Sequence, residues 1–276
     1  MTDAVADRAV RPGGSPAKPP AFDPADGLVV AIDGPSGSGK SSVSRAVARE
    51  LGVGYLDTGA MYRAVTWWCL ERGIDLDSGE AVAEAAESFP LQIGSDATAP
   101  TVLVGGVDVG EAIRETRISA AVSTVATNLG VRATLRLQQR ALIAETSRRT
   151  GGCVAEGRDI TTVVAPDADV RVLLTASKDA RLSRRARELH GEASPAAVAA
   201  TRDQVVRRDR DDSTVSEFTV AGHGVVTVDT SHLDFDGSVR AVLAVVRGVT
   251  HEAADHAAAH TAAHTAADAV PEDGRN

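Results

Sequence analysis

A glycine-rich segment near the start of the chain has the residue types and spacing needed to bind a polyphosphate. It reads GPSGSGKS, fits G-x-x-x-x-G-K-[ST], and lies between a short apolar run and an amphipathic pattern. Glycines let backbone N–H groups converge on phosphate oxygens, and the start of the following helix adds a partial positive charge. The predicted phosphate-binding loop consists of Gly34, Pro35, Ser36, Gly37, Ser38, Gly39, Lys40, Ser41 and Ser42.

Two side chains of this loop could act on the phosphates directly. Lys40 would reach the β- and γ-phosphates of a nucleoside triphosphate, and the Ser41 hydroxyl would help to hold Mg²⁺. The motif occurs in ATPases, GTPases, transporters and kinases, and it does not distinguish adenine from guanine. It therefore predicts a phosphate site with magnesium and leaves the acceptor to be found elsewhere.

Three further charged segments could bind an anionic acceptor. Tyr62 and Arg63 are expected on the first turn of a second helix, and Arg158 with Asp159 follow a short apolar run. Arginine suits such a site because its planar guanidinium binds phosphate through two hydrogen bonds. Residues 178–210 hold nine basic and five acidic residues in an otherwise acidic protein. Each cluster alone is also typical of a solvated surface.

Apolar runs alternate with helical patterns over most of the chain. The predicted strands are residues 28–33, 152–156, 170–175 and 225–229. After the helix that follows the loop, the predicted helices lie near residues 60–71, 131–149, 178–190, 195–210 and 237–249. Such alternation is typical of a mostly parallel sheet with helices on both faces. The prediction is an α/β fold of the P-loop NTPase type.

One stretch departs from this alternation, and both ends of the chain lack it. Residues 91–109 contain short apolar strands with tight turns and no helix between them, which predicts a small β-rich insertion. The first 26 residues are rich in Pro, Gly, Ala and Asp, and residues 250–276 hold four of the seven histidines in an Ala/Thr background. We therefore expect a disordered leader at 1–26, one domain at 27–249 and a disordered tail at 250–276.

Composition and charge disfavour several classes of protein. The chain has 276 residues, of which 43% are hydrophobic, so it can bury a core. A net charge of −9 and an aromatic content of 3% disfavour nucleic acid binding. Cys69 and Cys153 lack the spacing of a zinc motif, and no apolar run suits a signal peptide or a membrane span. We expect a cytoplasmic protein with no nucleic acid or membrane partner, and a monomer because no exposed apolar stripe is evident.

Five segments in a fixed order resemble those of bacterial cytidylate kinases, which are P-loop nucleoside monophosphate kinases. The segments are GPSGSGKS, YLDTGAMYR, VAEGRDITTVVAPDADVRVLLTAS, RRDRDDS and VDTS, and the resemblance covers about residues 27–249. It implies phosphoryl transfer from ATP, with Mg²⁺, to the small-molecule substrates CMP and dCMP in pyrimidine nucleotide metabolism. It also implies a nucleoside-monophosphate-binding insertion at about 73–115 and a helical lid at about 181–205.

The resemblance further implies roles for individual residues. The implied groups are Thr58, Tyr62, Arg63 and Arg158 around the CMP phosphate, Ser123, Arg132 and Asp159 around cytosine, and Arg208 and Asp212 at the phosphate side and the ribose. Arg184, in the lid, would approach the transferring phosphoryl group on closure and join Lys40, Arg63 and Arg158 as a catalytic residue. Closure would exclude water and suppress hydrolysis of ATP.

Two positions depart from the family pattern, and two other functions stay open. Val215 stands where many members have an arginine, and Thr161 stands where glycine is common. One alternative function is that of another small P-loop kinase, with UMP, AMP or shikimate as acceptor. The other is a nucleotide-dependent regulatory or RNA-associated module, which the acidic core and the few aromatic residues disfavour.

Overall fold

The computed structural model describes residues 24–250, apart from the side chains of residues 24, 188–190, 203–204 and 207–208. Its helices are α1 Lys40–Leu51, α2 Thr58–Glu71, α3 Gly79–Glu87, α4 Thr116–Ala126, α5 Leu129–Thr150, α6 Lys178–His190, α7 Pro195–Asp212 and α8 at 235–250. Its strands are β1 Leu28–Asp33, β2 Gly54–Asp57, β3 Leu91–Ile93, β4 Val102–Val104, β5 Val107–Asp108, β6 Gly152–Gly157, β7 Val170–Thr175 and β8 Val226–Asp229.

Five strands form one parallel sheet in the order β2-β6-β1-β7-β8. Successive side chains of a strand point to opposite faces, so both faces of a buried strand must be apolar. On one face Val30 and Ile32 of β1 pack with α1 and α8. On the other face Val29 and Ala31 pack with Ile143 of α5. The predicted parallel sheet with helices on both faces is confirmed.

The small β-rich insertion is also confirmed. β3, β4 and β5 form a separate antiparallel sheet, and β3 and β4 pack in one core with α2 and α3. The loop between β3 and β4 is tied to the main domain, because Arg45 of α1 donates hydrogen bonds to the carbonyl oxygens of Ala97 and Thr98, both at 3.2 Å. The insertion is therefore held beside the helix that begins at the phosphate-binding loop.

Three elements escaped the sequence patterns. β2 is only four residues long, and α3 and α4 are rich in Ala, Ser, Thr and Glu rather than in large apolar residues. The other predicted elements are confirmed: β1, β7 and α6 have the predicted bounds, and the remaining bounds differ by at most two residues.

The predicted leader and tail lie almost wholly outside the described residues. Within the leader, Pro24–Asp26 form a 3-10 helix, and Asp26 pairs with Arg148 of α5. None of the helices between residues 24 and 250 is long and apolar enough to cross a membrane.

Candidate active site

The strands of the parallel sheet end at one edge, and the chemically interesting segments follow these ends. β1 leads into the glycine-rich loop, β2 into α2, β6 into Arg158 and Asp159, and β7 into α6. A cleft of about 1600 Å³ lies at this edge. Among the predicted site residues, it is lined by Ser36, Gly37, Ser38, Gly39, Lys40, Ser41, Ser42, Thr58, Tyr62, Arg63, Arg132, Arg158, Asp159, Arg184 and Asp212.

The glycine-rich loop has the geometry that its sequence requires. Gly37 and Gly39 have φ values of 76° and 89°, a region that favours glycine, and Gly39 immediately precedes α1. A Cβ atom at Gly34 would lie 2.2 Å from the carbonyl oxygen of Leu174 in β7, so no side chain fits there. The loop therefore lies directly against the sheet, at the N-terminus of α1.

Glu156, near the end of β6, is buried beneath the loop, and its carboxylate contacts three side chains. Its Oε1 atom accepts hydrogen bonds from the Ser41 hydroxyl at 2.6 Å and from the Tyr55 hydroxyl at 3.3 Å. Its Oε2 atom lies 3.9 Å from Nζ of Lys40. The carboxylate thus positions the two loop side chains that were predicted to contact phosphate and magnesium.

The environment of Glu156 makes its charge costly. Burial raises the pKa of this carboxyl from 4.5 to about 7, and nearby Asp57 adds to the rise. Lys40, Ser41 and Arg158 act in the opposite direction. Near neutral pH, Glu156 is therefore poised between the acid and the carboxylate, and cations beside it favour the carboxylate.

We expect Glu156→Gln to stabilise the protein in a pH-dependent way. A pKa raised on folding gives stability that is present below pH 4.5 and is lost as the pH rises through about 7. The neutral amide avoids that loss. The unfolding free energy of the variant, measured relative to that of the parent, should therefore rise by about 2 kcal/mol as the pH is raised from 5 to 8. Urea unfolding at both pH values measures it. Glu50→Gln, at an exposed position of α1, is the control, and an equal effect at both pH values would contradict the burial argument.

Arg158 links the phosphate loop to the segment after α7. Its Nη1 atom donates to the carbonyl oxygen of Gly34 at 2.6 Å, and its Nε atom donates to Oδ2 of Asp212 at 3.0 Å. Its guanidinium also lies 4.8 Å from the ring centroid of the buried Phe218. Three groups from different parts of the chain thus fix one arginine at the wall of the cleft. Val215, where an arginine is common in the family, lines the same cleft.

Asp159, next to Arg158, pairs with Arg132 of α5. The Nη2 atom of Arg132 lies 2.5 Å from Oδ2 of Asp159, and both side chains are largely buried. Burial raises the pKa of the Asp159 carboxyl, and Arg132 counteracts this rise. The pair presents a donor and an acceptor on one wall of the cleft, as recognition of a polar base edge requires.

The loop that carries Arg158 and Asp159 is fixed from below by Asp33, the last residue of β1. The Asp33 carboxylate accepts hydrogen bonds from the backbone N–H groups of Ile160 and Thr161, at 2.9 and 2.8 Å, and from the Thr161 hydroxyl at 2.6 Å. Burial raises its pKa to about 6. The threonine that departs from the family pattern thus adds a hydrogen bond to this carboxylate.

The residues of α2 form the neighbouring wall. α2 begins at Thr58, two residues earlier than predicted, so Tyr62 and Arg63 lie on its second turn rather than its first. Thr58 donates to the carbonyl oxygen of Glu156 at 2.8 Å. Arg63 donates through Nη1 to the carbonyl oxygen of Ile113 at 3.1 Å and to the Ser119 hydroxyl at 3.0 Å. These contacts place its guanidinium between α2 and α4.

Not every predicted residue lies on the cleft wall. Ser123 lies on α4 and does not line the cleft, although its neighbour Val122 does. The side chain of Arg208 lies outside the described residues. Arg184 lines the cleft, but it donates to the carbonyl oxygens of Ser38 and Thr230, at 3.1 and 2.6 Å.

Sequence reasoning assigned no role to Glu156 or Asp33. Both are acidic residues at the carboxyl end of an apolar strand, and this position was the available signal. Among the described residues, no group of three or more His, Cys, Asp or Glu side chains could hold a metal ion by itself.

Comparison with known proteins gives one consistent result. The family model described as cytidylate kinase matches residues 30–248. A cytidylate kinase of Cutibacterium acnes is 48% identical over 220 residues, which cover 79% of this chain and 96% of that protein. One of Rhodococcus opacus is 48% identical over 221 residues, or 79% and 94% of the two chains. One of Streptomyces griseus is 43% identical over 222 residues, or 80% and 93%. The chain belongs to the cytidylate kinase family.

Proposed function

We propose that the protein transfers the γ-phosphoryl group of ATP to CMP or dCMP, giving ADP and CDP or dCDP. The observation that carries this proposal is the bond between Arg158 and the carbonyl oxygen of Gly34. It joins the phosphate-binding loop to the arginine expected on the acceptor phosphate, within one cleft. Donor and acceptor phosphates bound on the two sides of this contact would be close enough to react in line.

The side chains around this contact supply charge rather than a covalent intermediate. Lys40, the cation of the loop, neutralises negative charge on the donor phosphates. Arg63 and Arg158 hold the acceptor phosphate, which is already an anionic nucleophile near neutral pH and needs no strong base. Preorganised cations in a cleft that excludes water lower the barrier because they need not reorganise as charge moves.

The residues present fit a magnesium ion bound together with the donor. Ser41 and Glu156 supply oxygen atoms at the start of α1, and Mg²⁺ commonly takes one or two protein oxygens, with phosphate oxygens and water completing its shell. When bound, the ion would neutralise charge on the donor phosphates. Glu156 would keep the Ser41 hydroxyl oriented through their 2.6 Å hydrogen bond.

The acceptor would lie between α2, α4 and the loop after β6. Arg132 and Asp159 would recognise cytosine, with Ser123 reached only after a movement of α4. Asp212 would hold the ribose, and in this structure it accepts a hydrogen bond from Arg158 and so positions that arginine. Arg208 would contribute on the phosphate side. The insertion at about 73–115 and the lid at about 181–205 would close over both nucleotides.

An acceptor panel with direct detection of products tests this function. We expect ADP and a nucleoside diphosphate to form from ATP with CMP and dCMP, and at least 10-fold less efficiently with UMP, AMP or shikimate. Preferred phosphorylation of UMP, AMP or shikimate would overturn the acceptor assignment. ATP consumption that no acceptor stimulates would support a regulatory module instead.

The expectations about oligomeric state, location in the cell and nucleic acid binding stay predictions. We propose a monomer in the cytoplasm that binds no nucleic acid, because a net charge of −9 and an aromatic content of 3% disfavour binding to nucleic acid. Size-exclusion chromatography with light scattering measures the first of these, and a dimer would contradict it.

A further inference from the structure

The peptide group of Ser36 in the phosphate loop is held from both sides by α6 and α7. Its N–H group donates to Oδ1 of Asp209 at 3.0 Å, and its carbonyl oxygen accepts from Nη1 of Arg181 at 3.0 Å. The same Nη1 atom of Arg181 also pairs with Oδ2 of Asp209. Three groups therefore close a ring that joins α6, α7 and the loop, and we name these contacts the Ser36 latch.

The packing around the latch is tight. A Cβ atom at Gly37 would lie 2.6 Å from the carbonyl oxygen of Arg181, so the backbone of α6 rests directly on the loop. The side chains of Arg181 and Asp209 are 15% and 17% exposed. Because charged hydrogen bonds strengthen when they are shielded from water, such a ring holds its geometry better than an exposed pair.

The two charged side chains of the latch lie behind the cleft rather than in it. Ser36 and Arg158 line the cleft, whereas Arg181 and Asp209 do not. Oδ1 of Asp209 is also 3.9 Å from Nη2 of Arg158, a buried nitrogen without a hydrogen-bond partner. Asp209 thus faces Arg181 of α6 on one side and the proposed acceptor arginine on the other, and it does not line the cleft itself.

We propose that Asp209 is a positioning residue that couples closure of α6 and α7 to the conformation of the phosphate loop. The inference rests on the proposed function. Through Ser36 and Arg181, the closed lid fixes the loop, and a loop in the right shape gives the lid its contact. Lid helices that leave the loop would admit water to the donor, so loss of the latch should favour hydrolysis of ATP over transfer.

The test uses Asp209→Asn in the full-length protein, with Asp211→Asn as matched control. Asp211 lies two residues away on α7. Its carboxylate accepts hydrogen bonds from Arg210, and its carbonyl oxygen accepts one from the Thr214 hydroxyl. The amide in Asp209→Asn can still accept from Ser36, but it turns an N–H group or a neutral oxygen toward Arg181. We expect transfer to CMP to fall roughly 10-fold, with the KM for CMP within about twofold of the parent. The ratio of CMP-independent ATP hydrolysis to transfer should rise about 10-fold.

A double-mutant cycle with Arg181→Ala tests the coupling. If Asp209 acts through Arg181, the double variant should have nearly the same rates of ATP hydrolysis and of transfer to CMP as either single variant. If the two residues act independently, the fold-changes of the single variants should multiply in the double variant. Asp209→Glu, which keeps the charge, should recover part of the transfer rate. An unchanged ratio of hydrolysis to transfer, multiplied effects, or unfolding of Asp209→Asn at the assay temperature would each overturn the inference. Failure of the parent protein to phosphorylate CMP would instead refute the proposed function.

Discussion

Replacing Lys40 with alanine should lower kcat for phosphoryl transfer to CMP by about 1,000-fold. Lys40 is the cation of the phosphate loop, and its Nζ atom lies 3.9 Å from the buried carboxyl of Glu156. A positive charge aimed at the phosphates in a cleft shielded from bulk water contributes far more than a surface charge does. Because the effect falls on charge that develops during transfer, kcat should fall more than the KM for ATP rises.

The stability of Lys40→Ala should depend on pH. A pH at which the variant is folded but slow separates a catalytic effect of the lysine from a structural one. Loss of the lysine removes a cation that favours ionised Glu156, so the pKa of that carboxyl should rise further above about 7. At pH 6.5 Glu156 can take up a proton, and the variant should stay folded while its transfer rate is low. Lys178→Ala, at an exposed position of α6, serves as control. Near-parent turnover in Lys40→Ala would refute the role of the loop.

The spacing of the phosphate loop was enough to predict its conformation and its place in the fold. A strand, Gly34, four intervening residues, Gly39 and a helix that begins at Lys40 leave few ways to arrange the backbone. The structure has Gly39 in the left-handed region directly before α1. Local chemistry and local geometry coincide here. For that reason no long-range information was needed.

Glu156 shows what local patterns could not provide. It is separated from Ser41 by 115 positions in the chain, yet the two side chains share a hydrogen bond. The contact exists because β6 lies between β1 and β2 in the sheet. Periodicity predicts that strands are present and that they are parallel, but the order of strands depends on how the whole chain packs.

The arginines of α6 show a second limit. Arg181 and Arg184 are three residues apart, so they share a helix face, and both contact the phosphate loop. Their partners are backbone carbonyl groups of Ser36 and Ser38, which no sequence motif marks. The family resemblance placed Arg184 at the transferring phosphoryl group, which stays a prediction. In the structure its guanidinium joins the loop to Thr230.

The second large effect is expected at Arg158. Arg158→Ala should lower kcat/KM for CMP by about 100-fold, through a higher KM for CMP as well as a lower kcat. The substitution removes the proposed ligand of the acceptor phosphate, and it leaves Asp212 without the guanidinium at 3.0 Å and Gly34 without its donor at 2.6 Å. The KM for ATP should change less, since the other loop contacts, including those to Ser36 and Ser38, remain.

Two further variants distinguish binding geometry from charge at this position. Arg158→Lys keeps the positive charge but cannot reach Gly34, Asp212 and a phosphate at once, because an ammonium group lacks the planar fork of a guanidinium. Its kcat/KM for CMP should therefore lie between those of the parent and Arg158→Ala. Arg117→Ala removes an arginine whose partners, Glu71 and Glu115, lie on the exposed surface, and it should leave both KM values unchanged. If Arg158→Ala raises the KM for ATP while the KM for CMP stays constant, Arg158 belongs to the donor site, and the two nucleotides must be exchanged in the proposed arrangement.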